Sequence, residues 1–347
     1  MRFGPVPAAD SAGAVAAHGV QARGQDGEGL VLRKGERVTP DQAASLARAG
    51  VGSVVVARLE PGDVGENDAA RRLAEAMAGP GLWIERAFTG RANLFAATPG
   101  VLLVDVAAVD RVNAVDERLT LATLPAFRAV AEGEMVGTVK VVPFAVAGTV
   151  LDAAVAAAAV SPLRVSPYRP HRIGVVSTVL PGLKPSVVAK TLRVLDQRLA
   201  PTGSVVAATR EVPHDAAALA SALDGLAPDH DMLIVYGASA IADRRDVIPA
   251  AVERAGGTVE HLGMPVDPGN LLMLGRLGGR PVLGAPGCAR SPKENGFDWV
   301  LQRLLADVPV TPADIRRLGV GGLLMEIVSR PQPRSGEAPA DEPEAAP

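Results

Sequence analysis

The sequence predicts an α/β fold whose C-terminal half contains a mostly parallel sheet. First, short apolar segments alternate with helix-like segments from residue 172 onward, and glycines stand between them. Second, hydrophobic residues make up 48% of the chain, which suits a sheet covered by helices on both faces. Third, a chain of 347 residues is long enough for two domains. We therefore expect an N-terminal α/β region over residues 1–160 and a three-layer α/β/α domain over residues 170–310.

The N-terminal half mixes short strands with alanine-containing helices. Thr39 and Pro40 predict a helix start, as the N-cap and the first helical residue, and Gly50 predicts its end. The predicted helices are 8–17, 40–49 and 66–77, and the predicted strands are 52–57, 102–106 and 135–146. A proline-containing stretch, 161–170, predicts the boundary with the second domain.

The C-terminal half alternates regularly. The predicted strands are 172–178, 205–208, 232–236, 271–274 and 281–283, and the predicted helices are 185–199, 214–226, 246–255 and 295–305. Ligands of such sheets bind beside the carboxyl ends of the strands. Ser177, Thr178 and Gly237 follow strand ends, so we expect them to face one crevice.

Composition excludes several classes of function. A formal charge of −3 and an aromatic content of 3% argue against nucleic-acid binding. The apolar run 150–160 is too short to cross a bilayer, and we see no signal peptide. The lone Cys288 excludes an internal disulfide, and the histidines lack metal-ligand spacing, so we expect no metal site. We expect a cytoplasmic protein without a membrane partner, whose Pro-, Glu- and Ala-rich end, 331–347, is disordered.

Small and then charged residues follow the predicted strand 232–236. They are Gly237, Ala238, Ser239, Asp243, Arg244, Arg245 and Asp246. One interpretation is an anion pocket in which the backbone N–H groups of the turn approach the ligand. The other is a helix N-terminus with acidic residues in its first turn, which the helix dipole favours. Local chemistry alone favours the second interpretation.

Two Pro-Gly loops follow later in the chain. They contain Pro268-Gly269-Asn270 and Pro286-Gly287. Such loops either present a fixed backbone edge to a flat heterocycle or are ordinary turns. Ser291-Pro292 predicts an N-cap and first helical residue. Arg290 and Lys293 beside it either bind phosphate or are solvated, and Cys288 is expected to be a small buried filler.

Residues 171–305 resemble the molybdopterin-binding domain of molybdopterin molybdotransferases, the gephyrin E-domain type, and of the related molybdopterin adenylyltransferases. Five elements match in order: Ser177-Thr178-Val179-Leu180, Val212-Pro213-His214-Asp215, Gly237 to Asp246, Gly256-Gly257 with Val266 to Asn270, and Gly284 to Cys288. Two departures are clear. Val179-Leu180 replaces the family's acidic pair, and the family's Asn-Ser-Ala-Met-Asp-Gly-Tyr-Ala segment has no counterpart. The chain therefore resembles a stand-alone molybdopterin-binding protein more than a full molybdotransferase.

The resemblance implies a protein that binds molybdopterin or molybdenum cofactor in late cofactor biosynthesis. The implied cofactor-binding residues are Ser177, Thr178, Gly237, Ala238, Ser239, Asp243, Arg244, Asp246, Pro268, Gly269, Asn270, Pro286, Gly287 and Lys293. It also implies partners, namely a cofactor cytidylyltransferase or a xanthine-oxidase-type molybdoenzyme, and a homo-oligomer. Two alternatives stay open. One is a molybdotransferase with Asp243 and Asp246 as catalytic candidates and Mg²⁺ as a candidate ion, and the other is a non-catalytic adaptor.

Overall fold

The computed structural model describes residues 1–23 and 29–324. The chain divides into two compact units, unit 1 (Met1–Tyr168) and unit 2 (from Arg169 onward). The stretch 331–347, predicted to be disordered, lies outside the described residues. Over the described ranges, no helix combines the length and the apolar composition needed to cross a membrane.

Unit 1 is built from small antiparallel sheets with helices between them. In chain order its elements are β1 (Arg2–Pro7), β2 (Val15–Ala16), β3 (Val20–Arg23), β4 (Gly29–Leu32), α1 (Pro40–Arg48), β5 (Ser53–Arg58), β6 (Asp63–Gly65), α2 (Glu66–Met77), β7 (Leu82–Ile84), β8 (Arg91–Ala96), β9 (Gly100–Val104), α3 (Val106–Asn113), β10 (Leu119–Thr123), β11 (Ala129–Val130), β12 (Met135–Val141), β13 (Ala145–Ala147), α4 (Gly148–Ala157) and β14 (Leu163–Pro167). The largest of its sheets has the order β10-β12-β8-β7. Leu73, Met77 and Leu151 belong to its main buried core cluster.

Two of the three helix predictions in unit 1 are confirmed. Helix α1 begins at Pro40, and its N-cap Thr39 forms a capping box with Gln42. Helix α2 has the predicted bounds. The predicted strand 102–106 is shifted toward the N-terminus, because Asp105 caps α3 and ends the extended segment.

The predicted helix over 8–17 is wrong. Residues Ala8–Asp10 form a 3₁₀ turn, and Val15–Ala16 is a short strand paired with β5. The N–H groups of Ala16 and Ala17 donate to the carbonyls of Glu36 and Val55. Long-range backbone pairing therefore overrides the helix propensity of alanine here.

Unit 2 is a doubly covered sheet, which confirms the predicted α/β class. Its elements are β15 (Arg172–Val179), α5 (Pro185–Leu199), β16 (Val205–Pro213), α6 (Ala216–Leu226), β17 (Met232–Tyr236), α7 (Val247–Arg254), β18 (Thr258–Leu262), β19 (Met273–Leu277), β20 (Arg280–Ala285), α8 (Gly296–Leu305) and α9 (Pro312–Arg316). Six strands of residues 169–324 form one sheet in the order β16-β15-β17-β20-β19-β18. Strands β16, β15, β17 and β20 are parallel, and β19 runs antiparallel to both of its neighbours.

The two faces of β17 contact different helices. Leu233 and Val235 share a buried cluster with Leu219 of α6 and Ile248 of α7. Side chains alternate along a strand, so Tyr236 lies on the opposite face from Leu233 and Val235. The ring of Tyr236 instead contacts Phe297 of α8, with the ring centroids 6.5 Å apart.

Several elements of unit 2 differ from prediction, and β16 extends five residues beyond its predicted end. Strand β18 was not predicted, and β19 begins two residues after the predicted start. Ser291 is not the N-cap of α8, so that prediction is wrong. Asn295 caps α8 through a capping box with Asp298, which satisfies the first backbone N–H groups of the helix.

Candidate functional site

The carboxyl ends of the parallel strands meet at one edge of the unit 2 sheet. Ser177 of β15 lies opposite Tyr236 of β17, and Tyr236 lies opposite Ala285 of β20. The segments that follow these three strands therefore leave the sheet side by side. We call this region the carboxyl edge.

Thr178, near the end of β15, links the segments that follow β16 and β17. Its Oγ1 accepts a hydrogen bond from the N–H of Ala238 at 2.9 Å and is hydrogen-bonded to Nδ1 of His214 at 2.8 Å. Only 1% of Thr178 is exposed. The structure thus brings Thr178 next to the turn at Gly237, and the Thr178 hydroxyl is engaged inside the protein.

The turn after β17 is tight at Gly237. A Cβ atom there would lie 2.6 Å from the carbonyl oxygen of Ser239 and 2.9 Å from Cδ1 of Ile248. A larger residue would therefore push the turn away from α7. Ser239 itself is exposed.

The carboxylates of this turn are engaged by neighbouring groups. Asp243 Oδ1 accepts hydrogen bonds from Nε of Arg245 at 2.7 Å and from its backbone N–H at 2.9 Å. These bonds hold the pKa of the Asp243 carboxyl below its usual range. Asp246 is the N-cap of α7 and accepts from the N–H groups of Val247 and Ala242. The capping interpretation of Asp246 is therefore confirmed.

Arg244 and Lys293 form their hydrogen bonds with groups outside the Gly237 turn. Arg244 Nη1 donates to the carbonyl of Val259 at 3.1 Å. Val259 lies on β18, the edge strand three positions from β17 in the sheet order. The exposed Lys293 uses its carbonyl to accept a 3.0 Å hydrogen bond from Nδ2 of Asn295.

The first Pro-Gly loop packs against the start of α8. The carbonyl of Pro268 accepts from the N–H of Gly296 at 2.9 Å, and the carbonyl of Asn270 accepts from Met264 at 2.8 Å. A Cβ at Gly269, where φ is +141°, would lie 2.7 Å from the backbone nitrogen of Gly296. This close approach of two backbones gives the loop a packing role.

The second Pro-Gly loop is open. No atom lies within 4 Å of the position a Cβ would take at Gly287. The Pro286 carbonyl accepts from the N–H of Ala289, which begins a 3₁₀ turn over Gly287–Arg290. Cys288 in this turn is half-buried, and burial raises the pKa of its thiol.

Arg290 is the half-buried cation of the carboxyl edge. Its Nη1 donates to Oγ1 of Thr191 at 2.8 Å, and its Nη2 donates to the carbonyl of Gly237 at 2.9 Å. Its guanidinium lies over the ring of Tyr236, 5.3 Å from the centroid. Burial lowers the pKa of Arg290, and no carboxylate of the described residues forms an ion pair with it.

Beside Arg290 lies a pocket of about 440 Å³. Its lining residues are Ser186, Val187, Lys190, Thr191, Arg193 and Arg290. Lys190 and Arg193 are exposed on α5, and neither forms an ion pair within the described part of the chain. Three cations and two hydroxyls thus surround one cavity, which we call the basic pocket.

A buried ion pair holds the segment that carries Arg290. Arg198 Nε lies 2.5 Å from Oδ1 of Asp298, and each side chain is 10% exposed. Arg198 also donates to the carbonyls of Ala289 and Ser291 at 2.8 and 2.6 Å. These contacts hold the backbone on both sides of Arg290.

Sequence reasoning missed most of the basic pocket. Ser186, Lys190 and Arg193 have the spacing of one helix face, directly after the strand that ends in Ser177-Thr178. That spacing could have indicated a polar and basic helix face near the carboxyl edge. The contact between Arg290 and Thr191 could not be predicted, because 99 residues separate them in the chain.

Comparisons with known proteins find likeness in structure alone. No protein-family model matches the chain, and no curated protein matches it. Among solved structures, a molybdopterin biosynthesis MoeA protein from Pyrococcus horikosii is 14% identical, with a TM-score of 0.31, over 88% of this chain and 75% of that one.

Two further structures give similar values. A molybdenum cofactor biosynthesis protein from Pyrococcus furiosus is 12% identical with a TM-score of 0.25, over 88% of this chain and 64% of that one. A molybdopterin biosynthesis MoeA protein from Pyrococcus horikoshii OT3 is 9% identical with a TM-score of 0.26, over 88% and 74%. These identities and TM-scores do not by themselves assign a family or a function.

Proposed function

We propose that the chain binds molybdopterin or molybdenum cofactor in late cofactor biosynthesis, with the phosphate of the ligand in the basic pocket. The observation behind this proposal is the half-buried Arg290, which has two further cations around one cavity and no carboxylate partner among the described residues. The pterin identity of the ligand rests on the ordered resemblance of residues 171–305 to molybdopterin-binding domains.

Electrostatics favour an anion in this pocket. Removing a cation from water costs free energy unless an opposite charge or strong hydrogen bonds compensate. Arg290 has only neutral partners in Thr191 and Gly237, and these use two of its five N–H donors. A phosphate oxygen can accept from a remaining donor in a charge-assisted hydrogen bond. Lys190 and Arg193 add positive charge at the mouth.

The pocket also has a suitable size. A volume of about 440 Å³ lies within the range of about 300–1,000 Å³ for small-molecule sites. We place the pterin ring outside the pocket, along the open backbone at Gly287 and the exposed hydroxyl of Ser239. Ser239 lies two residues after Gly237, whose carbonyl contacts Arg290, and Gly287 lies in the loop after β20, the strand next to β17.

Most of the remaining predicted residues then stabilise the backbone around the site. Thr178 and Ala238 fix the turn through their hydrogen bond. Asp243 accepts a hydrogen bond from Arg245, and Asp246 accepts one from the N–H of Val247. Residues 268–270 pack on α8. Ser177, Pro286 and Lys293 stay predicted contacts of the ligand, whereas Arg244, which donates to the carbonyl of Val259, is expected to contribute little. Delivery to a cytidylyltransferase or a xanthine-oxidase-type enzyme, and a homo-oligomeric state, also stay predictions.

We propose binding over molybdate insertion because Val179-Leu180 stands where the resembled family has an acidic pair. The carboxylates of Asp243 and Asp246 accept hydrogen bonds from protein groups. Within residues 1–23 and 29–324, no three His, Cys, Asp or Glu side chains are grouped to hold a metal ion. Mg²⁺ binding at Asp243 and Asp246 stays a prediction of the molybdotransferase alternative.

Anaerobic titration calorimetry tests the proposal. We expect molybdopterin to bind with micromolar or tighter affinity, and neopterin, which has no phosphate, to bind at least roughly tenfold more weakly, because a charged hydrogen bond is lost. Lys190→Gln should weaken the binding of molybdopterin and not that of neopterin. The control is Arg210→Gln, the same charge change at an exposed arginine that donates to the carbonyl of Thr209. Absence of binding, or equal affinity for both pterins, would contradict the proposal.

A further inference from the structure

A second cavity lies at the opposite edge of the unit 2 sheet. It has a volume of about 670 Å³ and lies at the amino ends of β15, β17 and β20. Its walls include His171 directly before β15, Met232 at the start of β17 and Pro281 near the start of β20. We call it the amino-edge cavity.

We propose that the amino-edge cavity binds a small phosphomonoester whose body carries hydroxyl groups. Sugar phosphates and nucleoside monophosphates share that chemistry. The proposal is independent of the pterin proposal, since it concerns other residues and another edge of the sheet. Strand β15 has eight residues, and at about 3.3 Å per residue it separates the two edges by roughly 23 Å.

Arginines at the cavity supply the anion-binding end. Arg280 donates to the carbonyls of Pro228 and Gly278 at 3.1 and 3.4 Å, and no carboxylate of the described residues forms an ion pair with it. Arg276 lies across the Gly278-Gly279 turn and is paired with Glu260 at 2.9 Å. Arg280 is therefore the cation whose charge is available to a phosphate.

Two carboxylates face the same cavity. Asp307 lies 3.0 Å from Nε of Arg169 and 3.5 Å from Nε2 of His171. Asp231 accepts a 2.7 Å hydrogen bond from the backbone N–H of Arg172 through one of its oxygens. A carboxylate has about four lone-pair sites, so each retains acceptor capacity for a hydroxyl of the ligand.

The size and the apolar walls favour an organic ligand over a bare ion. Met232, Leu304 and Val308 line the cavity and are 1%, 8% and 8% exposed. Prolines 170, 281 and 309 also line it. A volume of about 670 Å³ matches sites for small organic molecules, which combine apolar walls with a few polar groups.

Titration of the full chain with four compounds tests this inference: inorganic phosphate, ribose, ribose 5-phosphate and AMP. We expect ribose 5-phosphate to bind at least tenfold more tightly than inorganic phosphate or ribose, because it occupies both ends of the cavity. A further gain for AMP would identify a nucleotide site, and equal affinity would identify a sugar phosphate site. Absence of heat with both phosphate esters would overturn the proposal.

Variants locate the binding. Arg280→Gln should weaken ribose 5-phosphate at least tenfold, and Arg210→Gln, the matched charge change outside the cavity, should not. Asp231→Asn should weaken ribose 5-phosphate at least fivefold and leave inorganic phosphate unchanged, which a general loss of folding would not do. Wild-type affinity in both Arg280→Gln and Asp231→Asn would overturn the assignment. Thermal melting of each variant controls for folding.

Discussion

Two segments leave the carboxyl edge with very different electrostatics. The first, residues 237–246, follows β17 and has the denser charge. Its acidic groups are satisfied locally, since Asp243 pairs with Arg245 and Asp246 caps α7. The second, residues 286–295, follows β20 and presents Arg290, which has no carboxylate partner among the residues that the structure describes.

This difference shows that charge density along a sequence is a poor guide to an anion site. An exposed ion pair such as Asp243–Arg245 contributes little to stability and attracts little further charge. A half-buried cation with neutral partners has a desolvation cost that an anionic ligand can offset. We therefore assign the ligand phosphate to the second segment and a supporting role to the first.

The largest expected effect on stability concerns the ion pair that holds the second segment through the carbonyls of Ala289 and Ser291. Asp298→Ala removes one partner of the buried pair with Arg198 and leaves that cation uncompensated, which should lower the free energy of unfolding by about 3–5 kcal/mol. Asp243→Ala breaks an exposed pair and should leave the denaturation curve unchanged. Urea denaturation measures both. A loss for Asp243→Ala as large as that for Asp298→Ala would contradict the comparison.

The two Pro-Gly loops give the next largest difference. Gly269→Ala places a Cβ 2.7 Å from the backbone of Gly296, and forced overpacking of this kind costs about 1–3 kcal/mol. Gly287→Ala meets no atom within 4 Å and should be neutral. Chemical denaturation of the two variants side by side checks this. Equal stability of the two variants would refute the packing role of Gly269.

Much of unit 2 could be predicted from its sequence. The bounds of α5 and β17 follow from a clear apolar pattern, and the proximity of Thr178 to Gly237 follows from the parallel sheet. Contacts between distant segments could not be predicted. Arg290 reaches Thr191 because the 3₁₀ turn that follows β20 packs against α5.

Local sequence signals also gave two wrong predictions, one for the start of α8 and one for residues 8–17. Ser291-Pro292 has the composition of a helix start, but Asn295 with Asp298 forms the complete capping box. The alanines of 8–17 favour a helix, and their backbone N–H groups pair with distant carbonyls instead. A local capping box decided the first case, and long-range backbone hydrogen bonds decided the second.

The central claim is that the basic pocket, and not the Gly237 turn, binds the charged end of the ligand. Anaerobic titration with molybdopterin should compare Lys190→Gln/Arg193→Gln with Arg244→Gln/Arg245→Gln, since each double variant removes two positive charges. We predict at least a roughly tenfold loss of affinity, about 1.4 kcal/mol, for the pocket variant and a small change for the turn variant. Loss of affinity confined to the turn variant would contradict the account.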